Sequence, residues 1–258
     1  MIRLKTEEEV EILKKNGILV SKTLAEVGKH IVPGVTTLEL NNIAETFIRD
    51  NGAQPAFLGY GGFPYTLCIS VNDVIVHGFP SEYRLVEGDI ISVDCGTIYD
   101  GFYGDSAYTF AVGEISAETK KLLSVTKKSL YLGIEKAVSG NRIGDISFAI
   151  QQYIEENGFS VVREMVGHGI GKKLHESPEV PNYGQRGQGK KLKEGMVICI
   201  EPMVNTGTRS VQLHDDGWTL STLDGKNSAH FELTVAIKKE RALVLSTFEY
   251  IENNSIKL

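Results

Sequence analysis

Four acidic residues stand in stretches that otherwise read as buried strand. Asp94 closes IISVD, Asp105 lies within FYGDSAYTF, Glu201 follows VICI and precedes Pro202, and Glu232 lies within AHFELTVAI. A buried carboxylate without a partner is costly, and these strands offer no Arg or Lys nearby. Carboxylates brought together raise one another's pKa unless a cation sits between them. Three of the six histidines, His77 in VHGFP, His168 in GHGIG and His175 in LHESP, fall in glycine-bearing segments, where backbone can be pressed close to a neighbour. Their spacing is not that of a helical HExxH zinc site. His30 reads as an ordinary helix end and His214, before Asp215-Asp216-Gly217, as a solvated turn residue. Four carboxylates and one histidine balance two divalent cations, and so oxygen-rich a set suits Mn, Fe, Co or Zn. Two such ions about 3.5–4 Å apart acidify a shared water and hold both ends of a hydrolysis.

Positioning these side chains requires strands. Asp100-Gly101 is a two-residue hairpin signal between the runs that carry Asp94 and Asp105. With that pair as the loop, Asp94 faces Ala107, and Asp105 shares its sheet face as a diagonal neighbour. Residues 85–94, LVEGDIISVD, are echoed by residues 192–201, LKEGMVICIE, and FIRDNG (47–52) is echoed by YIEENG (153–158). An internal repeat of about 33–112 and 139–238 is therefore expected, two pseudo-symmetric halves each supplying a carboxylate-tipped strand. Thr6 with Glu9 and Thr36 with Glu39 form capping boxes, predicting helices to about His30 and to Gly52. Ser116 opens a helix to about Val138 and Asp145 another to Asn157. Strands are expected at 66–71, 89–98 and 102–112, then near 196–204, 209–214, 218–221, 229–238 and 243–247. The expected fold is α+β in a single domain, 1–258, with a curved, mainly antiparallel sheet and helices on one face.

The bulk composition excludes several classes. Net charge is −6, which argues against a nucleic-acid-coating role. No run approaches the ~20 apolar residues of a membrane span. The start, MIRLKTEEEV, has no apolar region of the secretory kind. Three cysteines without CxxC spacing, Cys68, Cys95 and Cys199, read as reduced thiols. A cytoplasmic protein is expected.

The order Asp94, Asp105, His168, Glu201, Glu232, with VNDVIVHGFP, SVDCGTIYDGFYGDSAYTF, VGHGIGKKLHESPEVPNYG, CIEPMV, DGWT and FELTVAI, resembles the type I methionine aminopeptidases of the pita-bread metallopeptidases. The resemblance covers essentially the whole chain. It implies the pita-bread fold and the removal of initiator methionine from nascent chains with a small second residue. It implies that Asp94 and Asp105 reach one ion and that Asp105, His168, Glu201 and Glu232 reach the other, Asp105 and Glu232 bridging. His77 and His175 would contact the substrate, and Glu201 would also take a proton from the water. The matching methionine pocket is Phe57, Tyr60, Phe63, Cys68, Leu174, Met203, Trp218 and His230. A monovalent cation is implied near Asn72, Val74 and Ser228. The implied partners are N-termini of nascent polypeptides, with transient ribosome contact and no specific nucleic acid, for a chain acting as a monomer.

The chain departs from the family pattern at three places. Leu233 and Gly61 stand where relatives have histidine, and His230 replaces a glutamine. The loop GTRSVQLHDDGW carries only Arg209 as a basic group, against a lysine-rich ribosome-docking loop in some members, while Lys190, Lys191 and Lys193 read as a solvated face. Two rivals share the fold. A proline-specific aminopeptidase would carry an extra N-terminal domain, for which residues 1–30 are too short. A pita-bread binding protein would have broken ligands, and all five are intact.

Overall fold

The helices begin where the caps dictate. In α1 (Glu7–Gly28) the Thr6 hydroxyl accepts from the Glu9 amide and the Glu9 carboxylate accepts from the Thr6 amide. Thr36 and Glu39 repeat the device in α2 (Thr37–Asp50), and Ser116 caps α3 (Ala117–Lys136). α4 (Ile143–Glu156) starts two residues before Asp145. Asp145 works from inside the first turn, its carboxylate accepting the Arg142 amide at 2.7 Å. The echoed FIRDNG and YIEENG end α2 and α4 alike, with Gly52 (φ 76°) and Gly158 (φ 85°) left-handed. α5 (Glu249–Ser255) is the last of the described helices. The computed structural model describes residues 2–255, so Met1 and residues 256–258 of the expected domain lie outside the described residues.

Fifteen short strands occur among the described residues. The first half has β1 (Gln54–Pro55), β2 (Leu67–Val71), β3 (Val74–Val76), β4 (Ile90–Tyr99) and β5 (Phe102–Ala111). The second has β6 (Ser160–Val161), β7 (Gly167–Gly169), β8 (Glu176–Val180), β9 (Val197–Ile200), β10 (Met203–Asn205), β11 (Val211–Leu213), β12 (Leu220–Thr222), β13 (Ser228–His230), β14 (Leu233–Ala236) and β15 (Leu243–Val244). All their ladders are antiparallel. β4 pairs with β1, β2 and β5, while β15-β14-β9-β7-β8 form the largest sheet. β1, β3 and β8 are not predicted by the sequence pattern, and the strand expected over VVREMVG (161–167) forms only at its ends, in β6 and β7.

Two expected strands are broken, each at a candidate ligand. The run near 196–204 splits into β9 and β10 around Glu201-Pro202, where proline has no N–H for a ladder. The run near 229–238 splits into β13 and β14 around Phe231-Glu232, where the Glu232 amide turns to the Ala107 carbonyl at 2.9 Å.

Strand alternation separates core from site. Ile91 and Val93 of β4, Ile198 and Ile200 of β9, and Leu233 and Val235 of β14 pack with α1 through Val20 and Leu24, and with Leu40, Leu122 and Ile150 of the other helices. Intervening residues face away: Val197, Cys199 and Ala236 join Phe57, Phe63, Cys68 and Leu174 in a second cluster. Antiparallel strands backed by helices are the expected α+β architecture, and the candidate site lies on the face opposite the helices.

Candidate metal centre

Register brings the acids together. Asp94 stands opposite Cys68 on β2 and opposite Ala107 on β5, the latter as the Asp100-Gly101 hairpin predicts. Ala107 in turn bridges to Glu232, so Asp94 and Glu232 flank one residue of β5. Asp105, two residues before Ala107, projects on the same face. Leu233 opposite Ile200 places Glu232 opposite Glu201, one step past the paired ends of β9 and β14. Gly169 opposite Ile198 sets His168 beside Cys199. Glycine permits this closeness: a Cβ on Gly167 would lie 2.4 Å from the Cys199 carbonyl oxygen, and one on Gly169 2.5 Å from that of Ser177.

His168 is oriented as a ligand. Its Nδ1 is 2.9 Å from the Gly169 carbonyl, an acceptor only, so Nδ1 carries the proton and Nε2 the lone pair. That Nε2 lies 3.6 Å from Glu201 Oε1 and 3.7 Å from Asp105 Oδ2. Burial, then the neighbouring His175, lowers the His168 pKa to about 4, so these are contacts of a neutral ring rather than ion pairs. His230 is fully buried, with Nε2 3.7 Å from Glu201 Oε2 and no hydrogen-bond partner.

The acids lack protein counter-charges. Burial pushes Asp94 up to about 7, opposed by hydrogen bonds from Asp105 and the Cys95 amide. Burial, and then the neighbouring carboxylates, push Asp105, Glu201 and Glu232 well above the usual range. One buried oxygen on each of Asp94, Asp105 and Glu232 has no hydrogen-bond partner. No Lys or Arg is among the described residues lining the cavity into which they open. Orphaned carboxylate oxygens around an imidazole lone pair fit divalent cations, the arrangement that removes both deficits. Ligand atoms of Asp105, His168, Cys199 and Glu232 lie within 4.8 Å of one another. Burial and the nearby carboxylates raise the Cys199 thiol well above its ordinary pKa. It therefore stays protonated and suits these hard ions less than the oxygens do.

The cavity measures about 230 Å³, close to eight waters at ~30 Å³ each. Its eighteen lining residues include every candidate for catalysis, divalent-metal binding and the methionine pocket: Asp94, Asp105, His168, Glu201, Glu232, His77, His175 and the eight pocket positions. Val76, Met165 and Val166 also line it and were missed. Their signal was adjacency, since Val76 precedes His77 and Met165-Val166 precede GHG. Phe63 packs edge-on against Trp218, with centroids 5.2 Å apart. His77 has φ 59°, a left-handed conformation that costs a non-glycine residue energy and marks functional positions. Away from this cavity, the Asn72 carbonyl accepts the Ser228 amide at 2.9 Å, so two of the three expected monovalent-cation positions adjoin. His214 lies in the exposed β11–β12 turn, 2.8 Å from Ser221 Oγ.

A buried carboxylate cluster with one imidazole ligand, opening into an apolar pocket, defines a metallohydrolase type of centre. Residues 11–239 match metallopeptidase family M24, and the chain belongs to that family. It is 56% identical to the methionine aminopeptidase of Clostridium perfringens over 237 residues, covering 92% of this chain and 95% of the relative. Two solved methionine aminopeptidases share its fold. That of Rickettsia prowazekii has a TM-score of 0.95 at 40% identity, and that of Thermotoga maritima 0.94 at 45%; each covers 96% of this chain and 100% of the other. The fold is thus the pita-bread fold.

Proposed function

We propose that this chain is a metal-dependent aminopeptidase that releases N-terminal methionine from nascent proteins and peptides with a small second residue. One observation carries the reading: the buried acids Asp105 and Glu232, the half-buried acids Asp94 and Glu201, and the His168 lone pair converge at a cavity walled by Phe57, Phe63, Cys68, Met203 and Trp218. Asp94, Asp105, His168, Glu201 and Glu232 are the residues that would hold two divalent ions, Asp94 belonging with one, His168 and Glu201 with the other, and Asp105 and Glu232 serving both. Mn, Fe, Co or Zn there would supply Lewis-acid chemistry, acidifying water and polarising the scissile carbonyl. Glu201 accepts the proton of the attacking water and returns it to the departing amine. His77 and His175, both with pKa lowered chiefly by burial, are neutral near pH 7 and donate hydrogen bonds to the substrate. Tyr60, Leu174 and His230 complete a wall that admits methionine, whose flexible thioether suits an apolar, aromatic lining. A monovalent cation beside Asn72, Val74 and Ser228 belongs to the same proposal.

The partners follow from the reaction. They are N-termini of nascent chains in the cytoplasm, met by a monomer in transient contact with the ribosome. No described helix is long and apolar enough to cross a membrane. A bulky second residue lifts the amide from the acids, and ~1 Å of misplacement can cost ~10² in rate. The experiment is kcat/KM for Met-Ala-Ser against Met-Leu-Ser, Met-Arg-Ser and Ala-Pro peptides, with each metal in turn. Preference for Ala-Pro over Met-Ala would overturn the reading in favour of a proline-specific enzyme.

A further inference from the structure

His168 and His175 stand edge to face, with ring centroids 4.4 Å apart, yet their outer partners are of opposite kinds. His168 Nδ1 meets a carbonyl oxygen, which can only accept. His175 Nδ1 meets the Tyr60 hydroxyl at 2.8 Å, which can donate. Tyr60 approaches edge-on, its ring centroid 5.3 Å from that of His175.

Both ends of this hydrogen bond are fixed independently. Tyr60 lies between Gly59 (φ 83°) and Gly61 (φ 57°), left-handed positions that bend the chain sharply on either side of it. A Cβ on Gly61 would lie 3.3 Å from the Trp218 ring, so a larger residue there would press on the wall beside Tyr60. On the other side, Glu176 directly follows His175. Its carboxylate is held by the buried Lys5 ammonium at 2.8 Å and by the Lys173 amide at 3.2 Å.

A phenol O–H is the stronger donor and an imidazole nitrogen the stronger acceptor, so the proton between them belongs to Tyr60. A neutral imidazole carries one N–H. If Nδ1 accepts, the proton must sit on Nε2.

We propose that Tyr60 is a positioning residue: its hydroxyl donates to His175 Nδ1 and thereby fixes the His175 proton on Nε2, ready to be donated to the substrate. The proposal rests on the reading above, in which His175 contacts the substrate. It adds that the backbone carbonyl of Gly169 and the hydroxyl of Tyr60 set adjacent histidines to opposite tasks, His168 as lone-pair ligand and His175 as proton-bearing donor. Tyr60 thus links the methionine-pocket wall to the reacting bond, beyond any packing it provides.

The test is Tyr60→Phe, which keeps the ring and removes only the hydroxyl. Two readouts are taken on zinc-loaded protein. Histidine 15N spectra, with His175 identified by comparison with His175→Gln, should show His175 protonated on Nε2 in the wild type and as a mixture of tautomers in the variant. Steady-state cleavage of Met-Ala-Ser should show kcat reduced about 10- to 100-fold, the same range as losing the partner that orients a metal-binding histidine. KM should stay within about twofold and bound zinc should be unchanged. A wild-type His175 protonated on Nδ1 overturns the proposal. So does a variant whose tautomer is unchanged, or one whose KM rises while kcat holds, as a mere wall residue would give. If the wild type releases no methionine, the functional reading fails, and the tautomer spectra still decide the role of Tyr60.

Discussion

Removing bound metal should leave a protein that loses stability as pH rises from 7.5 to 8.5. The buried acids are the cause. In the metal-free fold Asp94 has a pKa of about 7, and Asp105, Glu201 and Glu232 are held well above the usual carboxylate range, all primarily by burial. In the unfolded chain the same groups ionise near 4. Above pH 4 the folded state therefore binds more protons than the unfolded state, and stability falls as pH rises through the folded pKa values. Each retained proton contributes a slope of about 1.4 kcal/mol per pH unit. The buried histidines oppose this at lower pH. His77 and His168 have pKa values of about 4 and His230 about 3, so their contribution to stability grows as pH rises and is complete near 7.5, about one unit above the unfolded imidazole value. Between 7.5 and 8.5 the acids dominate. One proton retained over that unit removes about 1.4 kcal/mol, a fall in Tm of about 3–6 °C for a chain of this size. The assay is calorimetry of chelated protein across that window, beside the manganese-loaded protein. The loaded protein should gain stability over the same range, because the metals require deprotonated ligands. The double variant Asp105→Asn/Glu232→Gln should flatten the metal-free slope. A metal-free Tm that is level or rising, and indifferent to the double variant, would mean that the acids are ionised without cations, and the case for a metal centre would collapse.

Three further outcomes are expected. Thorough chelation should abolish methionine release, Mn, Fe or Co should restore it, and Asp105→Ala or Glu232→Ala should prevent restoration, as read by released methionine; undiminished turnover in chelated protein would refute the two-ion scheme. His175→Ala should lower kcat ~10²–10³-fold, the range for a lost transition-state donor, with metal content by elemental analysis unchanged; loss of metal instead would make His175 a ligand. Gly167→Ala should destabilise by ~1–3 kcal/mol in thermal melts, because its Cβ would lie 2.4 Å from the Cys199 carbonyl oxygen; a wild-type Tm would show that β7 can move away from β9.

The features legible in the sequence are those fixed by residues near one another in the chain. The capping boxes at Thr6 and Thr36 set two helix starts because the partner lies three residues away. Asp100 (φ 51°) and Gly101 (φ 73°) turn the hairpin, and two-residue turn geometry with strand periodicity then fixes Asp94 opposite Ala107. Once four acids read as buried without cationic neighbours, solvation alone called for metal. Asp145 was misplaced as the start of α4 because an aspartate accepts amides equally well before the first turn or within it.

The rest depended on contacts between residues far apart in sequence. Apolar periodicity cannot reveal that β9 and β14 stop short of Glu201 and Glu232, because those breaks depend on where Ala107 of another hairpin supplies a carbonyl. The tautomer of His168 is set by its own neighbour, Gly169, and that of His175 by a tyrosine 115 residues away. The sequence determined which side chains needed a cation and which local turns would present them. Only the tertiary structure decided their order around the cavity, because register between distant strands and the direction of each ring proton are settled by packing, which no local pattern encodes.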